Sequence, residues 1–135
     1  MVGDGREPAD RRARRSAVVI EDDGGIRALI CAVLESAGLE VQAAASGTEG
    51  LAAVHASDPE VVTVDIRMPG MSGIETTRLI REFSDAFVVV LSAHVADADE
   101  FESLQAGADV YMRKPFRPRE LRALVEARLS ERSLA

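Results

Sequence analysis

Three short runs of this chain are apolar without alternation: Ala17-Val18-Val19-Ile20, Val61-Val62-Thr63-Val64 and the AFVVVL run from Ala86 to Leu91. A strand with one wet face alternates apolar and polar side chains, so runs like these belong to strands covered on both faces, as in a parallel sheet sandwiched by helices. The segments between them carry helical spacing. Ile26, Leu29, Ile30, Val33 and Leu34 repeat on one face of a helix over Gly24 to Ala37, with Gly38 placed to end it. Leu39 to Ala44 reads as a second strand, and Ser46 with Glu49 forms a capping-box pattern ahead of a helix that stops near Asp58-Pro59. Ser72 is placed to cap a helix carrying Ile74, Leu79 and Ile80. The pattern predicts a helix over Asp97 to Ala106 ending at Gly107, a fifth strand over Ala108 to Met112, and a last helix from Pro118 to about Glu131. The whole is five βα units, which suits a doubly wound α/β sheet; five are too few for an eight-stranded barrel.

In such a sheet, ligands gather at the carboxyl ends of the strands. Those ends are polar here. Glu21, Asp22 and Asp23 follow the first strand, Asp65 the third, Ser92, Ala93 and His94 the fourth, and Lys114 and Pro115 the fifth. Clustered carboxylates repel one another, and a hard divalent cation such as Mg²⁺ with oxygen ligands relieves this. A carboxylate facing such a site can attack phosphorus to give an acyl phosphate. An ammonium group suits the phosphoryl oxygens, and a hydroxyl can donate to them. Asp23 reads as a solvated residue or a cap for the first helix.

The stretches VVIEDD, VDIRMPGMSGIE, LSAH and GADVYMRKPF together make residues 16–131 resemble a response-regulator receiver domain, the phospho-acceptor module of two-component signalling. The resemblance implies a flavodoxin-like five-stranded parallel sheet in the order 2-1-3-4-5. It implies Asp65 as phospho-acceptor and a Mg²⁺ site made by Asp22 directly, Glu21 through water, Asp65, and the backbone carbonyl of Arg67. It further implies Ser92 and Lys114 as the hydroxyl and lysine that meet the phosphoryl group, a cis bond before Pro115, and Tyr111 as an aromatic switch residue. Phosphorylation is then expected to alter the face made by the fourth helix, fifth strand and fifth helix. The partners implied are a sensor histidine kinase or phosphotransfer protein, and a downstream effector protein or fused output domain, with a phosphorylation-dependent dimer as a further possibility. Arg67 and His94 lie two residues after Asp65 and Ser92, where the family tunes phosphoryl lifetime.

Other classes fare worse. A dehalogenase-like phosphatase wants a second acid two residues after its nucleophile, where Arg67 stands. No GxGxxG or Walker loop follows the first strand, which argues against a nucleotide or flavin binder. An unphosphorylated scaffold has no use for the full set of acids, hydroxyl and amine. The expectation is therefore a switch rather than an enzyme that turns over a substrate. Net charge is −7, and the five arginines before residue 16 leave an acidic remainder, which argues against direct nucleic-acid binding. Residues 1–15 are expected to be a disordered basic tail and 132–135 a C-terminal tail. No apolar run approaches the roughly 18–20 residues of a membrane helix, and a cytoplasmic location is expected. Cys31 sits in an apolar helical pattern and reads as a small buried hydrophobe.

Overall fold

The structure, a computed structural model, describes residues 15–93 and 97–134. The strands are β1 (Ser16–Ile20), β2 (Glu40–Ala44), β3 (Val61–Asp65), β4 (Phe87–Ser92) and β5 (Val110–Arg113). The helices are α1 (Gly24–Ser36), α2 (Gly47–Ser57), α3 (Gly73–Arg81), α4 (Asp97–Gln105) and α5 (Pro118–Leu134). All pairings are parallel and the order is β2-β1-β3-β4-β5, as the resemblance implied.

The three apolar runs are the central strands, and they are buried at every described position except Ser16. Alternate residues feed two cores. Val18, Ile20, Val62, Val64, Val88 and Val90 pack with Val54 of α2 and Ile80 of α3. Ala17, Val19, Val61, Val89 and Leu91 pack on the other face with Leu34 of α1 and Leu121 and Val125 of α5. Cys31 is partly buried against this second core, and burial pushes its thiol pKa up, away from the reactive thiolate.

Local signals set the helix ends. Asp23, Ser46 and Ser72 each accept a hydrogen bond from the backbone three residues on. The return arm of the Ser46–Glu49 pattern runs to the Ala45 N–H rather than to Ser46. Gly38 and Gly107 take positive φ angles after α1 and α4, where a side chain would be strained.

Several boundaries differ from the sequence expectation. β3 includes Asp65, which pairs with Leu91, so the acid belongs to the ladder itself. β5 begins at Val110 rather than Ala108 because Asp109 flanks the ladder. Its N–H donates to the Val88 carbonyl, its carboxylate accepts the Val88 N–H, and Arg81 holds that carboxylate at 2.7 Å. α5 runs to Leu134, past the expected Glu131, since no glycine or proline interrupts Ser130 to Leu134. Arg15, assigned from sequence to the tail, donates to the Leu129 carbonyl at 2.9 Å and ties the start of β1 to α5. The rest of the basic tail lies outside the described residues.

One central residue is polar. Thr63 sits between Val19 and Val89 in the sheet, and its Oγ1 is buried without a hydrogen-bond partner among the described residues. An unmet buried hydroxyl costs about 1–3 kcal/mol. Thr63→Val is therefore expected to raise stability by about 1 kcal/mol, a rise of roughly 3–5 °C in a thermal melt. An unchanged or lower midpoint would count against the orphaned hydroxyl.

Candidate functional site

Parallel register assembles the site. Ile20 pairs with Val64, so the next residues, Glu21 and Asp65, stand side by side at the carboxyl edge of the sheet. Both are buried, whereas Asp22 is exposed. Ligand atoms of Glu21, Asp22 and Asp65 all lie within 4.8 Å of one another. Lys114 follows β5, and its N–H donates to the Ser92 carbonyl at 2.8 Å. Its Nζ reaches Glu21 Oε1 at 2.7 Å and Asp65 Oδ1 at 3.3 Å. The Lys114–Pro115 peptide is cis.

The electrostatics follow from burial. Burial pushes the Glu21 carboxyl above the usual carboxylate range; the Lys114 hydrogen bond opposes this and the Asp65 charge adds to it. Burial also works against the Lys114 ammonium, but its hydrogen bond to Glu21 and the charges of Asp65 and Glu21 outweigh that and raise its pKa. One ammonium thus faces two buried carboxylates with a third beside them. Three oxygen donors, with no histidine or cysteine among the described residues of the cluster, fit a hard divalent cation such as Mg²⁺ rather than zinc.

The loop after Asp65 is folded tightly. The Gly73 N–H donates to the Ile66 carbonyl at 2.9 Å, and a Cβ on Gly73 would sit on the Asp65 carbonyl oxygen. α3 therefore starts against the backbone of Asp65 itself. Met68 turns into the core. The close approach of Gly73 to Asp65 is a contact that sequence spacing does not reveal.

Ser92 is fully buried. Tyr111 pairs with Val90, two residues before Ser92, so Ser92 and Tyr111 share one face of the sheet, and Tyr111 packs against the α2–α3 side of the core. The Arg67 side chain is largely exposed and pairs with Asp99 of α4 at 3.4 Å. His94 lies outside the described residues. His55 is exposed and meets Phe83 at a tilt of 49°, with ring centroids 4.8 Å apart. Beside Lys114 an apolar groove of about 330 Å³ is lined by Ile26, Leu29, Ala93, Lys114, Pro115 and Phe116. Two participants are absent from the sequence reading: Asp99 as the partner of Arg67, and Arg27, whose Nη1 donates to the Glu21 carbonyl at 2.9 Å.

Comparison with known proteins agrees with this architecture. Residues 17–126 match the model of the response regulator receiver domain. The chain is 37% identical over 116 residues to the DNA-binding response regulator MtrA of Mycolicibacterium paratuberculosis, covering 86% of this chain and 52% of that regulator. It is 44% identical over 103 residues to a protein-glutamate methylesterase/protein-glutamine glutaminase of Natronomonas pharaonis, covering 74% of this chain and 29% of that protein. A CheY-like receiver domain protein from Methanospirillum hungatei superimposes with a TM-score of 0.84 at 28% identity, covering 89% of this chain and 97% of the other. The chain thus spans about half the length of the MtrA regulator.

Gly73 gives a direct check on the packing behind Asp65. Gly73→Ala is expected to cost about 2 kcal/mol or more in urea unfolding, because backbone rather than a flexible side chain must give way. Gly70→Ala, with φ +80° but open space around it, is expected to cost only about 1 kcal/mol. Equal costs would contradict the close approach of Gly73 to Asp65.

Proposed function

The chain belongs to the response regulator receiver family, and we propose that it is a phosphorylation-controlled switch with Asp65 as its acceptor. The observation that carries the reading is the convergence of Glu21, Asp22, Asp65 and Lys114 at one sheet edge. A sensor histidine kinase or phosphotransfer protein is the donor. The Asp65 carboxylate attacks its phosphohistidine phosphorus; the P–N bond breaks with its electron pair staying on the ring nitrogen, an acyl phosphate forms, and the imidazole, already protonated at its other nitrogen, leaves neutral. Lys114, already within 3.3 Å of Asp65, is suited to follow the phosphoryl oxygens as a compact charge. The apolar groove beside Lys114 offers the donor a contact continuous with the site.

Glu21, Asp22, Asp65 and the Arg67 carbonyl are the residues that would hold Mg²⁺. When bound, the ion offsets the carboxylate charges and neutralises the phosphoryl oxygens in transfer. Ser92 then donates to the attached phosphoryl group, and Tyr111, on the same sheet face, moves with it. The population of α4–β5–α5 arrangements shifts as a result. An effector protein, a fused output domain or a second copy of the domain reads that face. One relative is named a DNA-binding regulator and another a methylesterase, which supports an output set outside this segment.

Incubation with acetyl phosphate and Mg²⁺ is expected to add one base-labile phosphoryl group to the wild type, detected by intact mass. Asp65→Asn and chelation by EDTA should each abolish it. An adduct that survives Asp65→Asn would overturn the assignment. Arg67 and His94 are proposed to shield the acyl phosphate from water, so Arg67→Ala and His94→Ala should shorten its lifetime several-fold, read as loss of adduct after donor removal. Unchanged lifetimes would remove both residues from that role.

A further inference from the structure

The turn that carries the two β1 acids is short and highly charged. Glu21 and Asp22 leave the sheet, and α1 starts at Gly24 under the Asp23 cap. Lys114 holds the Glu21 carboxylate at 2.7 Å, and the Asp23 N–H meets the other Glu21 oxygen at 3.3 Å. The Glu21 N–H donates to the Ala44 carbonyl at 3.0 Å, but none of these contacts holds the Glu21 carbonyl or the Asp22 main chain. Asp22 is exposed, so packing does not set its direction either.

Arg27 does this. It lies one turn into α1 and is half-buried. Its own N–H closes the first helical turn onto the Asp23 carbonyl at 2.8 Å. Its side chain folds back, and Nη1 donates to the Glu21 carbonyl at 2.9 Å and to the Asp22 carbonyl at 3.4 Å. Charge-assisted bonds of this kind are stronger than neutral ones, and one guanidinium nitrogen serves both carbonyls. Glu21 is thereby held at its carboxylate by Lys114 and the Asp23 N–H, at its own N–H by the Ala44 carbonyl, and at its carbonyl by Arg27.

We propose that Arg27 is a positioning residue for the acidic pair, holding the Glu21 and Asp22 carbonyls so that both carboxylates face Asp65. This rests on reading Glu21, Asp22 and Asp65 as a divalent-cation site. Arg27 touches neither a metal ligand atom of that set nor the phosphoryl acceptor; it acts through the backbone. Groups that orient metal ligands change affinity by their geometry. The sign of the effect separates this role from a purely electrostatic one. Removing a nearby positive charge alone should tighten the binding of a cation, whereas losing the clamp should weaken it.

The experiment is a MgCl₂ titration of the ¹⁵N-labelled protein, followed by amide shifts, for wild type, Arg27→Met and Arg27→Lys, with a thermal melt of each. Arg27→Met is expected to melt close to wild type and to bind Mg²⁺ about 10-fold more weakly, the low end of effects seen for residues that orient metal ligands. Arg27→Lys keeps the charge, but its shorter side chain does not bring a donor to the Nη1 position between the two carbonyls, so it should also bind more weakly than wild type. Equal or tighter binding by Arg27→Met overturns the inference and leaves the cation site standing. If Arg27→Met does not melt cooperatively, Arg27→Lys decides: weaker binding supports the clamp and wild-type affinity overturns it. A wild type that binds no Mg²⁺ overturns both the cation site and the inference built on it.

Discussion

Everything at the carboxyl edge of the sheet depends on a repulsion that the fold does not relieve by itself. Glu21, Asp22 and Asp65 bring ligand oxygens within 4.8 Å of one another, two of the three residues are buried, and Lys114 is the ammonium set among them. Two like charges about 4 Å apart repel by about 4 kcal/mol at the effective dielectric typical near a protein surface. The raised pKa of Glu21 is one sign of that load, with burial its larger cause. A site under such tension suits a divalent cation with oxygen ligands.

The fold sustains the tension because the strands leave the acids no alternative position. Val61 to Val64 are buried on both faces, so Asp65 emerges at one fixed point. The Ile20–Val64 pairing brings Glu21 beside it. Behind Asp65, Gly73 lets α3 begin against the main chain with no side chain between. On the other side, the Lys114 N–H is bonded to the Ser92 carbonyl, which ties the lysine to the strand that carries the hydroxyl. Farther away, Arg81 bonds to the Gly107 carbonyl and to Asp109, and so fastens α3 to the approach of β5. Slippage of any one strand would separate charged groups that now share one edge.

Much of this was legible in the sequence, for definite physical reasons. Unbroken apolar runs announce strands covered on both faces, and the capping serines Ser46 and Ser72 mark helix starts through a local hydrogen bond. The strand order came from the resemblance of four motifs rather than from periodicity, and the roles proposed for Asp65, Ser92 and Lys114 rest on the same resemblance. What stayed hidden depends on contacts between distant segments. Lys114 and Glu21 are 93 residues apart, Arg67 and Asp99 are 32 apart, and no spacing rule joins either pair. Arg27 was hidden differently: it is close in sequence, but on a helical pattern it reads as one more polar position. Its fold back onto two carbonyls is visible only in three dimensions. The β5 boundary was misjudged because Ala108 looks like strand, while Asp109 uses its side chain to stand in for a ladder bond.

The central claim is that carboxylate repulsion at this edge is held in place for a cation to relieve. Thermal unfolding of wild type and Asp65→Asn, each with and without MgCl₂, tests it most directly. The account predicts that Mg²⁺ raises the wild-type midpoint saturably, as a ligand of the folded state must. It also predicts that Asp65→Asn melts higher than wild type without metal and responds little to Mg²⁺. A wild type indifferent to Mg²⁺, together with an Asp65→Asn variant that melts lower, would contradict it.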